Sequence, residues 1–128
     1  MGQQVIHTDM APAAIGPYSQ AIKVKPWLFV SGQIALRPDT GELVGQDFAE
    51  QAEQVLKNLR HILEAAGYEL SDVVSVDVFL TEIGQFSAFN RIYEAFFSQH
   101  KPARAVLEVK GLPRGAQVEI KCMAFRDH

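Results

Sequence analysis

The 128-residue sequence contains a single cysteine, Cys122, so no disulfide can form within the chain. Cys122 sits in an apolar, strand-like run, where it reads as a small buried hydrophobe; such sparing use suits a reducing cytosol. No apolar stretch approaches the roughly 20 residues that a membrane-crossing helix needs. The N-terminal stretch MGQQVIHTD lacks a basic segment followed by an apolar one, and Ile6 stands where an N-myristoylation motif requires Ser or Thr. A cytoplasmic protein without export or lipid signals is therefore expected. His7, His61, His100 and His128 are isolated, with no paired spacing on one face, so no metal site is predicted. Ser31 lacks a G-x-S-x-G frame, and PDTGELVG, 38–45, reads as a turn followed by a short extended piece, not as a phosphate cradle. Twelve basic against fifteen acidic residues give a net charge of -3, with Lys and Arg scattered, which argues against broad nucleic-acid binding.

What remains is an ordinary globular composition, 48% hydrophobic and 21% charged, in a chain with no linker long enough to divide it. One domain, 1–128, is expected. From Asp47 to Ala66 the apolar residues Phe48, Ala52, Val55, Leu56, Leu59, Ile62, Leu63 and Ala66 follow the 3.6-residue stripe of an amphipathic helix. Asp47 and Glu50 resemble an N-terminal capping pair, and Gly67 can take the left-handed conformation that stops the helix. A second stripe, Phe86, Phe89, Tyr93, Phe96 and Phe97, predicts a helix over 85–99, ended by Lys101 and Pro102. Asn90 falls on its buried side, either as an amide satisfied by nearby backbone or as a side chain reaching a pocket.

Strands are predicted at 5–8, 19–24, 28–36, 73–81, 103–109 and 117–125, with the second and third joined as a hairpin. In the strand over 73–81, Val74, Val76, Val78 and Leu80 make an apolar face and Val73, Ser75, Asp77 and Phe79 a mixed one. Two helices cover only one side of such a sheet. The other side must meet water, a ligand or another subunit, and its valines and phenylalanines predict an oligomer.

The segment 101–125 reads as a further hairpin around a turn near Leu112 and Pro113, and it carries two charges among apolar neighbours. Alternation puts Arg104, Val106 and Glu108 on one face, and Glu119 with Gln117, Lys121 and Met123 on one face of the next strand. A hairpin sets Arg104 and Glu119 a diagonal step apart, around one small ligand. The alternative is an ion pair on a solvated face, contributing about 0 to 1 kcal/mol. Gly32, in FVSGQI, marks a place where backbone approaches a ligand or bends the strand.

Three blocks resemble the Rid/YjgF family of reactive-intermediate deaminases, known in older usage as ribonuclease-like translation inhibitors. They are IGPYSQA, 15–21, FVSGQI, 29–34, and a C-terminal signature met by Pro102, Ala103, Arg104, Ala105, Leu107, Gly111, Leu112, Val118, Glu119 and Ile120. The resemblance implies an α+β, chorismate-mutase-like fold, with six strands in a mixed sheet, two helices on one face, and a homotrimer with a barrel core and clefts between subunits. It also implies hydrolysis of 2-imino acids and enamines such as 2-aminoacrylate to 2-oxo acids and ammonia, without a cofactor. In that reaction Arg104 would grip the substrate carboxylate, Glu119 would handle water and protons, and Tyr18 would wall the pocket. Gly32 and Val106 would add backbone donors, and Asn90 would come from a neighbouring subunit. Part of the family carries Cys where this chain has Val106, so a thiol there is not required. The competing functions are a binding module for small 2-oxo acids, on the same pocket, and a ribonuclease.

Overall fold

Asp47 begins the first helix as its sequence indicates. In a computed structural model that describes residues 2–127, its carboxylate accepts the Glu50 N–H at 2.9 Å, and α1 runs over Phe48–Ala65. Gly67 follows at φ +85°, the left-handed stop. The stripe Ala52, Val55, Leu56, Leu59, Ile62 and Leu63 is buried. The second helix, α2, covers Phe86–Phe96, shorter than its stripe suggests. A 3₁₀ turn over Ile83–Gln85 precedes it, and Lys101 Nζ donates to the Phe97 carbonyl at its end, 2.7 Å away. The isolated His128 lies outside the described residues.

Six strands form on the expected segments: β1 Gln4–Ile6, β2 Ala21–Val24, β3 Trp27–Gln33, β4 Val73–Leu80, β5 Ala103–Glu108 and β6 Val118–Phe125. They make one sheet in the order β1-β2-β3-β6-β4-β5. Only β4 and β5 are parallel; the other pairs are antiparallel. β2 and β3 form the expected hairpin, and α2 makes the crossover from β4 to its parallel neighbour, as a parallel pair requires. Both helices lie on one face, over Leu28, Val30, Val76, Val78, Leu80, Val118, Ile120 and Ala124, all buried.

Two expectations change. The segments over 103–109 and 117–125 do not form a hairpin, because β6 inserts between β3 and β4 and leaves β5 on the edge. The physical reason is burial: Val118, Ile120, Cys122 and Ala124 give β6 a fully apolar side suited to the sheet centre, whereas β5 is mostly exposed. Val74 also leaves the apolar face and is 40% exposed. The register of β4 against β6 shifts between Val73 and Ser75, and this irregularity turns Val73 inward instead.

The uncovered face keeps Phe29 42% and Leu107 54% exposed. No helix among the described residues is long and apolar enough to cross a membrane.

Candidate active site

Strand order decides where the two charges go. Arg104 is level with Val76, and Val106 with Val78, across the β4–β5 pair. Side chains paired in this way share a face, so Arg104 points to the helix side. Glu119 is level with Phe79 and points to the uncovered side. Arg104 and Glu119 of one chain thus stand on opposite faces with β4 between them, not a diagonal step apart.

Each charge has its own surroundings. Gly32 sits where the register of β3 against β6 breaks, between Val30 and Gln33, and Glu119 fills the space its missing side chain leaves. A Cβ at Gly32 would overlap Glu119 Oε2 and lie 3.0 Å from its Cδ, so glycine is required for this approach. The Glu119 carboxylate has no hydrogen-bond or ion-pair partner among the described residues. Partial burial raises its pKa above the usual carboxylate range, and nearby Lys121 opposes the rise. In a Gly32→Ala variant the displaced carboxyl regains solvent, so its pKa, followed by NMR titration, is expected to fall toward the ordinary value of about 4.3. An unchanged titration would show that the glycine does not control it.

Glu119, Gly32, Tyr18 and Ser31 line one cavity of about 590 Å³. Its far wall is held by Gln20, which is 2% exposed. The Gln20 side chain accepts from Thr8 N–H at 2.8 Å and donates to the carbonyls of Thr8 and Pro12 at 3.1 and 2.7 Å. A buried amide with these partners fixes the 8–12 segment against the sheet. Ser31 Oγ donates to the Ser19 carbonyl at 2.6 Å, which occupies its proton and ties the two family blocks together.

Arg104 lies in a second, shallower cavity of about 540 Å³ with Asn90, Tyr93 and Glu94. Its Nη1 donates to Asn90 Oδ1 at 2.8 Å, so Asn90 reaches a pocket and is half-buried there. The guanidinium carbon lies 4.7 Å from the Tyr93 ring centroid and 5.7 Å from that of Phe86. Phe86, Asn90 and Tyr93 are spaced i, i+4, i+7 on one helix face. The stripe alone reads as core, and only its interruption by Asn90 marks the aromatic seat. Tyr93 is 6% exposed, packed against Phe89 and Phe97, and its pKa is pushed up to about 12 by burial. Among the described residues no carboxylate pairs with Arg104, and with one bond to Asn90 most of its five donors are open. Val106 packs half-buried against the core and lines neither cavity. Among the described residues no three His, Cys, Asp or Glu side chains gather as metal ligands, and Cys122, its pKa raised to about 12 by burial, is inert as a nucleophile.

Two helices on one face of a six-stranded mixed sheet, with a guanidinium on its edge strand and a carboxylate on an inner strand, neither in an ion pair among the described residues, define a small α+β protein with a divided polar site. A family profile described as Endoribonuclease L-PSP matches residues 8–126, and the chain belongs to this family, the Rid/YjgF family of the three sequence blocks. It is 46% identical over 125 residues to a RutC family protein of Pyrococcus horikoshii, covering 98% of this chain and 99% of that one. It is 47% identical over 124 residues to the mouse protein named 2-iminobutanoate/2-iminopropanoate deaminase, covering 97% and 92%. A crystal structure of a conserved Rid family protein from Yersinia pestis superposes with a TM-score of 0.95 at 45% identity, covering 98% of this chain and all of that one.

Proposed function

We propose that the protein hydrolyses 2-imino acids and their enamine tautomers to 2-oxo acids and ammonia. In this reading it acts as a homotrimer, each cleft taking Arg104 and Asn90 from one subunit and Tyr18, Gly32 and Glu119 from the next. The observation that carries the reading is the division of the two charges between opposite faces of one sheet. Among the described residues neither has a charged partner of its own, and Arg104 sits on the edge strand, where a second copy can approach it. The exposed Phe29 and Leu107 give such an assembly apolar surface to bury. The deaminase named among the relatives supports the same chemistry.

The guanidinium fork binds the substrate carboxylate through two parallel hydrogen bonds, and its seat on Tyr93 and Phe86 presents it already oriented. The Glu119 carboxylate takes a proton from water as the water oxygen bonds to C2 and the C=N bond becomes single. The proton then passes to nitrogen to give a carbinolamine; the C2 hydroxyl next gives up its proton, which Glu119 returns to the amino nitrogen as the C–N bond breaks, so ammonia leaves and the carbonyl of the 2-oxo acid forms. An enamine first accepts a proton at its terminal carbon. The raised pKa of Glu119 moves it toward working pH, where a group that both takes and returns a proton is most effective. Backbone N–H groups of Gly32 and Val106 add donors for the carboxylate or the developing charge.

Mixing subunits tests the shared cleft. Arg104→Ala and Glu119→Ala proteins, each inactive, are unfolded together and refolded; random mixing then restores about a quarter of the clefts to an intact pair. Ammonia release from an imine made in situ is expected to recover correspondingly. No recovery from a mixture shown to contain mixed oligomers rejects the shared site. A ribonuclease reading has less support, since the described histidines are tied down apart, His7 to Asp9, His61 to the Met10 carbonyl and His100 to the Val73 carbonyl.

A further inference from the structure

We propose that Arg114 recognises the far end of the substrate side chain, and that the site accepts 2-imino acids whose side chain ends in a carboxylate. The inference rests on the deaminase reading and extends it to substrate class.

Arg114 lines the same cavity as Glu119. Among the described residues these are the only two charged side chains on its wall, and they do not pair with one another. The rest of the lining joins apolar Ile15, Ile34, Leu36 and Pro113 to Gln20, Ser31 and Gln33, whose side chains already donate to backbone carbonyls. The apolar part of such a wall suits the methylene groups of a side chain, and Arg114 is the cation that the described lining offers to an anion. The cavity, at about 590 Å³, falls within the roughly 300–1,000 Å³ that holds drug-sized ligands. That is more room than a three- or four-carbon acid fills.

The backbone at Arg114 is the second observation. It has φ +62°, the only positive φ among the described non-glycine residues. Left-handed backbone is unfavourable for a residue with a Cβ, and Gly or Asn would fit this turn with less strain. Among the described residues no ion pair offsets it, and the Arg114 side chain makes one hydrogen bond, from Nη2 to the Gly41 carbonyl at 3.3 Å. That bond leans the side chain against the 38–45 loop and leaves the rest of its donors open. Strain held at a cavity wall, by a cation with no carboxylate partner, is the pattern of a residue kept for a ligand.

The substrate then meets a cation at each end. Arg104 holds the C1 carboxylate, Glu119 works at C2, and Arg114 meets the terminal carboxylate. The reaction is unchanged, with water adding at C2 and ammonia departing.

The test compares 2-iminoglutarate, generated from glutamate by an amino-acid oxidase, with 2-iminobutanoate, generated from threonine by a dehydratase. The ratio of their kcat/KM values is measured for the wild type, Arg114→Gly and Arg114→Asn. Both replacements suit φ +62°, so the turn is retained. The ratio is expected to fall at least about tenfold in each variant, the worth of one charge-assisted hydrogen bond. An unchanged ratio overturns the proposal, as does an equal loss for the two imines. Calorimetric binding of 2-oxoglutarate and 2-oxobutanoate gives a readout independent of turnover. Tighter binding of 2-oxoglutarate by the wild type, lost in both variants, supports Arg114 even if neither imine is hydrolysed, a result that would sink only the deaminase reading. Equal binding of the two acids by the wild type overturns the role of Arg114.

Discussion

Arg104→Ala is expected to lower kcat/KM for a 2-imino acid by about 10²- to 10⁴-fold, the loss of two charge-assisted hydrogen bonds at roughly 1.5–3 kcal/mol each. The fold should barely notice. Arg104 is exposed, and its contacts with Tyr93 and Phe86 are worth about 1 kcal/mol at such a site. Arg104→Lys keeps the charge but loses the planar fork and its fit on the aromatic faces, so most of the activity goes with it. Kinetics and chemical denaturation on the same preparations separate the two effects. An Arg104→Ala protein that turns over at the wild-type rate would remove the guanidinium from the mechanism.

Glu119→Gln is expected to lower kcat by about 10²- to 10⁴-fold, the usual contribution of a positioned proton-transfer group, while making the protein more stable at neutral pH. Burial raises the folded-state pKa of Glu119 above its unfolded value. The folded chain therefore holds this proton more tightly. The stability so gained is fully present below the unfolded pKa, about 4.3, and is lost as pH rises through the folded pKa. Gln does not titrate. The variant should unfold at a higher temperature than the wild type at pH 7, with the gap closing toward pH 4; a constant gap would mean that Glu119 is not its source. In the wild type the acid limb of kcat/KM should lie above the ordinary glutamate range, and the variant should lack it. Stability given up for function at one carboxylate is common in active sites.

Both effects were foreshadowed by the residues themselves to different degrees. The periodicities of α1 and α2, the cap at Asp47, the stop at Gly67 and all six strand segments were legible, because each depends on neighbours within one or two turns of chain. The three family blocks brought forward Tyr18, Gly32, Arg104, Val106 and Glu119 as candidates. Asn90 and Gly32 were marked by being out of character, an amide in an aromatic stripe and a glycine in a strand. The seat that Tyr93 provides for Arg104 was not marked, since a tyrosine at helical spacing reads as core. Nor was the work of Gln20, whose partners lie 8 to 12 residues away in a segment without periodic pattern.

The hairpin of 101–125 shows where local reasoning stops. Two apolar segments around a turn usually pair with each other, and here they do not, because β6 has an apolar side that gains more from the middle of the sheet than from its edge.

The sequence by itself thus determined which segments become helix or strand and, outside the irregular start of β4, which face of each is apolar, since these follow from side-chain period and residue type. The tertiary structure alone decided the order of the strands, and with it the separation of Arg104 from Glu119. Pairing between segments distant in the chain is chosen by the total surface buried in the finished sheet, a sum that no single segment contains.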